Sequence, residues 1–114
     1  MAIKKLSLRN KAKGKGKRVT LRPNRARSTQ NLGNGFRRIQ FPAVIIEAND
    51  FLFLFLSAGR GRAVVSAGWT ISNLTSAWPT DSFPNSDSEW VIILENPTGV
   101  ARSVIPFLIT KSRR

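Results

Sequence analysis

The sequence predicts an all-β protein: a small antiparallel β-sandwich or truncated jelly roll with a disordered or extended basic N-terminal arm. From residue 36 onward, short runs rich in aromatic and β-branched residues alternate with clusters of Gly, Pro, Asn and Asp, which is typical of strands joined by turns. Residues 1–38 hold thirteen lysines and arginines and no acidic residue, so this segment alone equals the total formal charge of +13. Such a block of like charges is typical of a tail that binds polyanions.

The composition changes near Gly33 and Gly35, which places the predicted domain boundary at residue 35. Residues 1–35 are interpreted as a nucleic-acid-binding arm, and residues 36–114 as the β-sandwich body. The arm has few large apolar residues, so burial of surface cannot offset the entropy lost on ordering it. In residues 39–114 six basic residues balance six acidic ones, and the body is expected to be electrically neutral.

The first strands of the body are predicted from their residue patterns. FRRIQFPAVIIEAN (36–49) is followed by an Asn49-Asp50 turn and by FLFLFL (51–56). In FLFLFL, a period of two puts the phenylalanines on one face and the leucines on the other, and we expect the phenylalanine face to fill the core. RAVVSAGWTIS (62–72) alternates as a half-buried strand does.

The remainder of the body is predicted to be a loop followed by a hairpin. Residues 73–88 contain two prolines and many Ser, Asn and Asp residues, which favours a polar loop. EWVIILENPTGVARSVIPFLIT (89–110) is interpreted as two strands joined by an NPTG turn, with Gly99 in the left-handed position. Pro106 lacks an amide hydrogen, which favours an edge strand or a bulge. So small a body has a thin core, and association with other copies is expected.

The residue types present argue against an enzyme. The chain has no cysteine, histidine or tyrosine, which excludes disulfides, thiol nucleophiles and imidazole bases. It has no phosphate-binding loop motif of the nucleotide-hydrolase kind. We therefore predict no catalytic residue, no cofactor and no metal site. One acidic cluster leaves cation binding open, although a solvated loop is the preferred interpretation; its members are Asp81, Asn85, Asp87 and Glu89.

Membrane insertion and export are not expected from this sequence. The longest uninterrupted apolar run is FLFLFL, and a membrane-spanning helix needs about 20 apolar residues. The first residues carry charge without an apolar stretch, unlike a secretory signal.

The arm supplies the candidate nucleic-acid-binding residues. Each lysine or arginine that meets a phosphate releases condensed counterions, so binding is expected to be weakly sequence-specific and strongly salt-dependent. The predicted residues are Lys4, Lys5, Arg9, Lys11, Lys13, Lys15, Lys17, Arg18, Arg22, Arg25, Arg27, Arg37 and Arg38. In GRGR, Arg60 and Arg62 are interpreted either as a second phosphate contact or as residues carried on a glycine turn.

The three tryptophans also admit two interpretations. Stacking on bases or sugars is one, but Trp69 and Trp90 alternate with other apolar residues and are predicted to pack in the core. Trp78, in the proline-bearing segment, is predicted to be exposed or to lie in an interface.

The overall layout resembles the coat proteins of small icosahedral viruses. It combines an acid-free basic segment (MAIKKLSLRNKAKGKGKRVTLRPNRARS), a hinge (NLGNG) and a β-rich body. The resemblance implies a capsid protein of the virion, assembled inside the host cell, whose arm condenses a single-stranded genome while the body self-associates or joins other capsid proteins. RNA and DNA remain alternatives. The other readings are a minor capsid or decoration protein of a phage and a non-viral, ribosomal-type RNA-binding protein.

Overall fold

The computed structural model describes residues 16–71 and 78–113, which form nine strands in two sheets. The strands are β1 (Lys17–Leu21), β2 (Ser28–Gly33), β3 (Phe36–Gln40), β4 (Val44–Ile46), β5 (Asp50–Ser57), β6 (Arg62–Ile71), β7 (Trp78–Ser86), β8 (Glu89–Asn96) and β9 (Arg102–Ser112). A 3₁₀ helix, Pro23–Arg25, lies between β1 and β2. The all-β prediction is confirmed.

The two sheets are built around β5–β8 and β9, respectively. The first sheet has the order β1-β5-β8-β7. In the second sheet, β3 and β4 pair with one side of β9, β6 pairs with its other side, and β2 pairs with the outer side of β3. Among the described strands every pairing is antiparallel except that of β1 with β5, which is parallel.

The core between the sheets is filled by the leucine face of β5. Leu52, Leu54 and Leu56 are fully buried and belong to one cluster with Leu108 of the second sheet. The prediction that the phenylalanine face fills this core is wrong. Those three rings lie on the outer face of the first sheet, in a smaller cluster with Val91, Ile93 and Phe83.

β1 accounts for the choice between the two faces of β5. Val19 and Leu21 pack against the leucine cluster, whereas the guanidinium of Arg18 lies over the rings of Phe53 and Phe55, 5.2 and 5.7 Å from their centroids. An amphipathic edge strand can align with only one face of its neighbour, because successive side chains point to opposite sides of the sheet.

The sheets begin within the predicted arm. β1 and β2 pair with β5 and β3, so the boundary predicted at residue 35 falls inside the folded region. Residues 1–15 lie outside the described residues. The span 16–113 holds twelve basic and six acidic residues and carries a net charge of +6, whereas residues 39–114 alone are neutral.

The predicted loop 73–88 is wrong over most of its length. Residues 78–86 form β7, an edge strand with register shifts between Pro79 and Asp81 and between Pro84 and Ser86. An edge position tolerates proline because the missing amide faces away from the partner strand. Residues 73–77 lie outside the described part of the chain.

The predicted hairpin 89–110 is also wrong. β8 belongs to the first sheet and β9 to the second, so the connection between them crosses from sheet to sheet. Asn96, fully buried, organises this crossing: its Nδ2 donates to the carbonyls of Ile46, Glu47 and Val100. Gly99 lies outside the left-handed region.

Pro106 occupies a central strand and not an edge, but the predicted bulge is present, because residues 41–43 stand opposite only residues 105 and 106. β9 pairs with other strands on both of its sides, and the carbonyl of Pro106 accepts a hydrogen bond from the amide of Phe41. Phe41 lies in the interruption between β3 and β4. The proline therefore lies where the hydrogen-bond ladder between β9 and these two strands is interrupted.

Candidate polyanion-binding site

An open concavity of about 650 Å³ lies at the end of the sandwich where β5 and β9 end and β6 begins. Its lining contains four arginines and no acidic residue. The lining residues are Arg22, Pro23, Asn24, Ser57, Gly59, Arg60, Gly61, Arg62, Ser88 and Arg113. These arginines come from three separate stretches of the chain, and the fold brings them to one surface.

Two glycines of the β5–β6 connection allow this convergence. Gly59 has φ +87°, and a Cβ at this position would stand 3.1 Å from Cγ of Pro23. A side chain at residue 59 would therefore separate the 3₁₀ helix, which follows Arg22, from the turn that carries Arg60. Gly61 has φ +75°, a conformation that residues with side chains rarely adopt.

Arg62 is held in place by the second sheet. Its Nε donates to Oγ1 of Thr110 at 2.9 Å, and its Nη2 donates to the carbonyl of Gly35 at 2.6 Å. Burial, and then the positive charge of Arg37, lower the pKa of Arg62 below its ordinary value. An anion bound beside Arg62 would favour its charged form.

Arg113 completes the cluster from the carboxyl end of β9. Its backbone amide donates to the carbonyl of Gly61 at 3.0 Å, which fixes its chain position beside the β5–β6 turn. Its Nη2 lies 3.3 Å from Oδ2 of Asp87, but the two side chains are 53% and 80% exposed. Water screens an ion pair this exposed, so another anion can replace Asp87 as the partner of Arg113.

Guanidinium groups are well suited to phosphate. Each presents a planar fork of N–H donors that matches two oxygens of a phosphate and keeps its charge at any physiological pH. Several such groups around an open concavity can contact more than one phosphate of a chain. Binding of phosphate groups is therefore a chemistry that these arginines support.

The structure brings together only part of the predicted arm. Arg22 lines the concavity, and Arg37 is close enough to affect the pKa of Arg62. Lys17 lies at the opposite end of β1, where its Nζ donates to the carbonyl of Ile45 at 3.4 Å. The remaining described members are exposed and do not line the concavity: Arg18, Arg25, Arg27 and Arg38. Six members precede residue 16 and lie outside the described residues: Lys4, Lys5, Arg9, Lys11, Lys13 and Lys15.

The turn interpretation of GRGR is confirmed, whereas the phosphate contact by its arginines stays a prediction. The glycines adopt positive φ angles in the turn, and Arg60 and Arg62 line the concavity. Arg113 was missed as a candidate, although the basic KSRR at the end of the sequence was a signal for it.

The acidic cluster of β7 and β8 is divided among separate partners. Nδ2 of Asn85 donates to Oε1 of Glu89 at 2.7 Å, Asp87 pairs with Arg113, and Oδ1 of Asp81 accepts from the amide of Ser82. Within the described residues, no three metal-ligating side chains of the His, Cys, Asp or Glu type lie together. These contacts give no support for a cation bound at this acidic cluster.

The tryptophans lie where the sequence placed them. Trp69 and Trp90 pack against the main core cluster, and Trp78 is 59% exposed. None of the three lines the arginine concavity, so the site has no aromatic platform of its own.

Among known protein families, the YjdH family model matches residues 17–110 of this chain. The chain belongs to the YjdH family. The match begins with β1 and ends in β9, so it spans nearly all of the folded region, including both strands within the predicted arm. Comparison with curated proteins and with solved structures found no match. Among the described residues, no helix is long and apolar enough to cross a membrane.

Proposed function

We propose that this YjdH-family protein binds nucleic acid through its phosphate backbone and is not an enzyme. The observation that carries the proposal is the convergence of Arg22, Arg60, Arg62 and Arg113 on one concavity without an acidic residue in its lining. The overall charge of +13 supports the same function, because it attracts a polyanion over long distances.

Binding of this type is weakly sequence-specific. Sequence is read by side chains that reach base edges, often from a helix in the major groove, and phosphate contacts carry no such information. The concavity offers arginines for phosphates, and its lining contains no aromatic residue on which bases could stack. A flexible single strand, which can fold its phosphates into a concave surface, is the substrate that this shape favours.

The test is the salt dependence of binding to a fluorescent single-stranded oligonucleotide, followed by fluorescence anisotropy. For single strands the slope of log Kobs against log salt is about −0.7 per neutralised phosphate, so the double variant Arg22→Gln/Arg60→Gln should lose about 1.4 from the slope. Extrapolated from 1 M salt, this corresponds to about 25-fold weaker binding at 0.1 M.

The matched control is Arg27→Gln/Arg38→Gln, which removes the same charge from exposed residues that do not line the concavity. We expect this control to retain more of the slope than the concavity variant. Equal losses in both variants would mean that the net charge, and not the arginine cluster, determines binding. No oligonucleotide binding by the unaltered protein at 0.1 M salt would refute the proposal.

The second candidate function is that of a capsid protein, in which the same binding condenses a packaged genome within a virion. The observation that favours it is the apolar outer face of the first sheet, where the half-buried Phe53, Phe55 and Phe83 offer a surface to a neighbouring subunit. Electron microscopy of the protein with and without nucleic acid tests it. Closed particles are expected under this function, whereas a discrete monomer-nucleic acid complex favours a non-viral binding protein.

A further inference from the structure

The second sheet has one free edge that differs from the others in the described structure. The edge of β1 carries Lys17 and Arg18, and β7 has two prolines and two register shifts. β4 has only three residues. On β6, a register shift interrupts the edge and the amide of Val64 already donates to the carbonyl of Asp87. Charges, prolines, bulges and short length are the features that keep free strands from pairing with other chains.

β2 has none of the charges or prolines that protect an edge. Its sequence is STQNLG, and all six residues are exposed. Within the described structure β3 is its only partner strand. Because no described residue covers either face of β2, a further strand can approach its free side without meeting the described part of the sandwich.

The register identifies which backbone groups face outward. The amide of Phe41 donates to Pro106, so residues 37, 39 and 41 direct their backbone groups toward β9, and Arg38 and Gln40 direct theirs toward β2. The residues opposite, Gln30 and Ser28, therefore face β3. Thr29 and Asn31 direct their N–H and C=O groups toward the free side.

We propose that the free edge of β2 pairs antiparallel with β2 of a second copy, joining two second sheets into one continuous sheet. Pairing Thr29 of one copy with Asn31 of the other uses both outward residues before the register shift, and places Gln30 on the two-fold axis. The contact is isologous, as the interfaces of most symmetric dimers are.

A second copy is the occupant that the charges favour. β2 carries no charged side chain, so two β2 strands oppose no like charges across the pairing, whereas two β1 strands would oppose Lys17 and Arg18. The register shift between Asn31 and Gly33 limits regular pairing to about four residues per copy. A contact this short buries little surface, so dimers are expected to form only at high protein concentration.

This inference does not rest on nucleic-acid binding, and salt separates the two. Added salt screens the repulsion between two copies that each carry +13, so dimerisation should strengthen between 0.1 and 1 M NaCl. Oligonucleotide binding should weaken over the same range. Association that disappears at 1 M salt would be bridged by nucleic acid and would overturn the inference.

The experiment measures the dimer dissociation constant of the full chain by sedimentation equilibrium in 1 M NaCl, over a concentration series. Thr29→Pro removes an outward amide and none of the bonds to β3, and should weaken dimerisation at least tenfold without lowering the melting temperature. The matched control Thr29→Val keeps the amide and should dimerise as the unaltered protein does. Equal dissociation constants for the two variants would overturn the inference.

A second measurement uses the absence of cysteine from the chain. Opposed residues of an antiparallel pair have Cα atoms about 4.5 to 5.5 Å apart, which is within the range of a disulfide. Gln30→Cys should therefore form a disulfide-linked dimer under mild oxidation, faster than Ser66→Cys on the exposed part of β6. Cross-linking of both variants at the same rate would indicate random collision and would contradict the β2 contact.

Discussion

The two faces of β5 are equally apolar in sequence but differ in their surroundings. Leu52, Leu54 and Leu56 are fully buried between the sheets, whereas Phe53 and Phe55 lie half-buried on the outside beneath the guanidinium of Arg18. The larger rings thus remain partly in contact with water. Hydrophobicity of a strand does not determine which face becomes the core; the neighbouring strands do, because they must align their own apolar residues with it.

The largest expected effect comes from removing the strand that distinguishes the two faces. Deleting residues 1–21 removes Val19 and Leu21 from the core cluster and the whole β1 ladder from β5, and should cost more than about 3 kcal/mol of stability. Urea unfolding followed by tryptophan fluorescence measures the loss.

Deletion of residues 1–15 is the matched control for that truncation. The described contacts of this end begin at Gly16, whose amide donates to Oδ1 of Asp50 at 2.6 Å, so the shorter deletion should retain the cooperative transition. Equal destabilisation by the two deletions would contradict the structural role of β1. The shorter deletion also removes six basic residues, and oligonucleotide binding should become less salt-dependent.

A pair of alanine substitutions compares the two faces directly. Leu54→Ala leaves a cavity at a fully buried position and should cost about 3 kcal/mol. Phe53→Ala removes a ring that is already partly solvated, and should cost less although the ring is larger. Chemical denaturation of both variants gives the comparison. A greater loss for Phe53→Ala would show that the outer cluster stabilises the protein more than the core does.

The smallest effect concerns the cation above the outer rings. Arg18→Ala should cost about 0.5 kcal/mol, because a cation over a ring at an exposed site contributes little. Arg27→Ala, an exposed arginine in the connection before β2, is the control and should leave the unfolding midpoint unchanged. Identical midpoints for the two variants would indicate that Arg18 contributes nothing to the outer face.

Strands with a strong local residue pattern could be predicted from the sequence. β5 and β6 lie where alternation predicted them, and Asn49 takes a positive φ of 55° in the predicted turn. β1 and β2 were missed because lysine, arginine and small polar residues dominate them. They become strands by pairing with β5 and β3, respectively. Local propensity carries no information about such partners.

The candidate site was predictable only in part, for the same reason. Charge counting identified Arg22, and the GRGR motif drew attention to Arg60 and Arg62. Their convergence depends on the contact between Gly59 and Pro23, which are far apart in sequence. The predicted hairpin failed because the buried side chain of Asn96 turns the chain across the sandwich, and an Asn-Pro sequence alone does not distinguish that crossing from a tight turn.

The parallel pairing of β1 with β5 has a consequence for biosynthesis. Lys17 stands opposite Leu52, so β1 emerges from the ribosome 35 residues ahead of its partner strand. A chain grows at about 5 to 20 residues per second, so β1 waits for several seconds at the slowest rate without its ladder. The charges of Lys17 and Arg18 disfavour pairing of β1 with other chains during that interval, because charged side chains oppose edge-to-edge association.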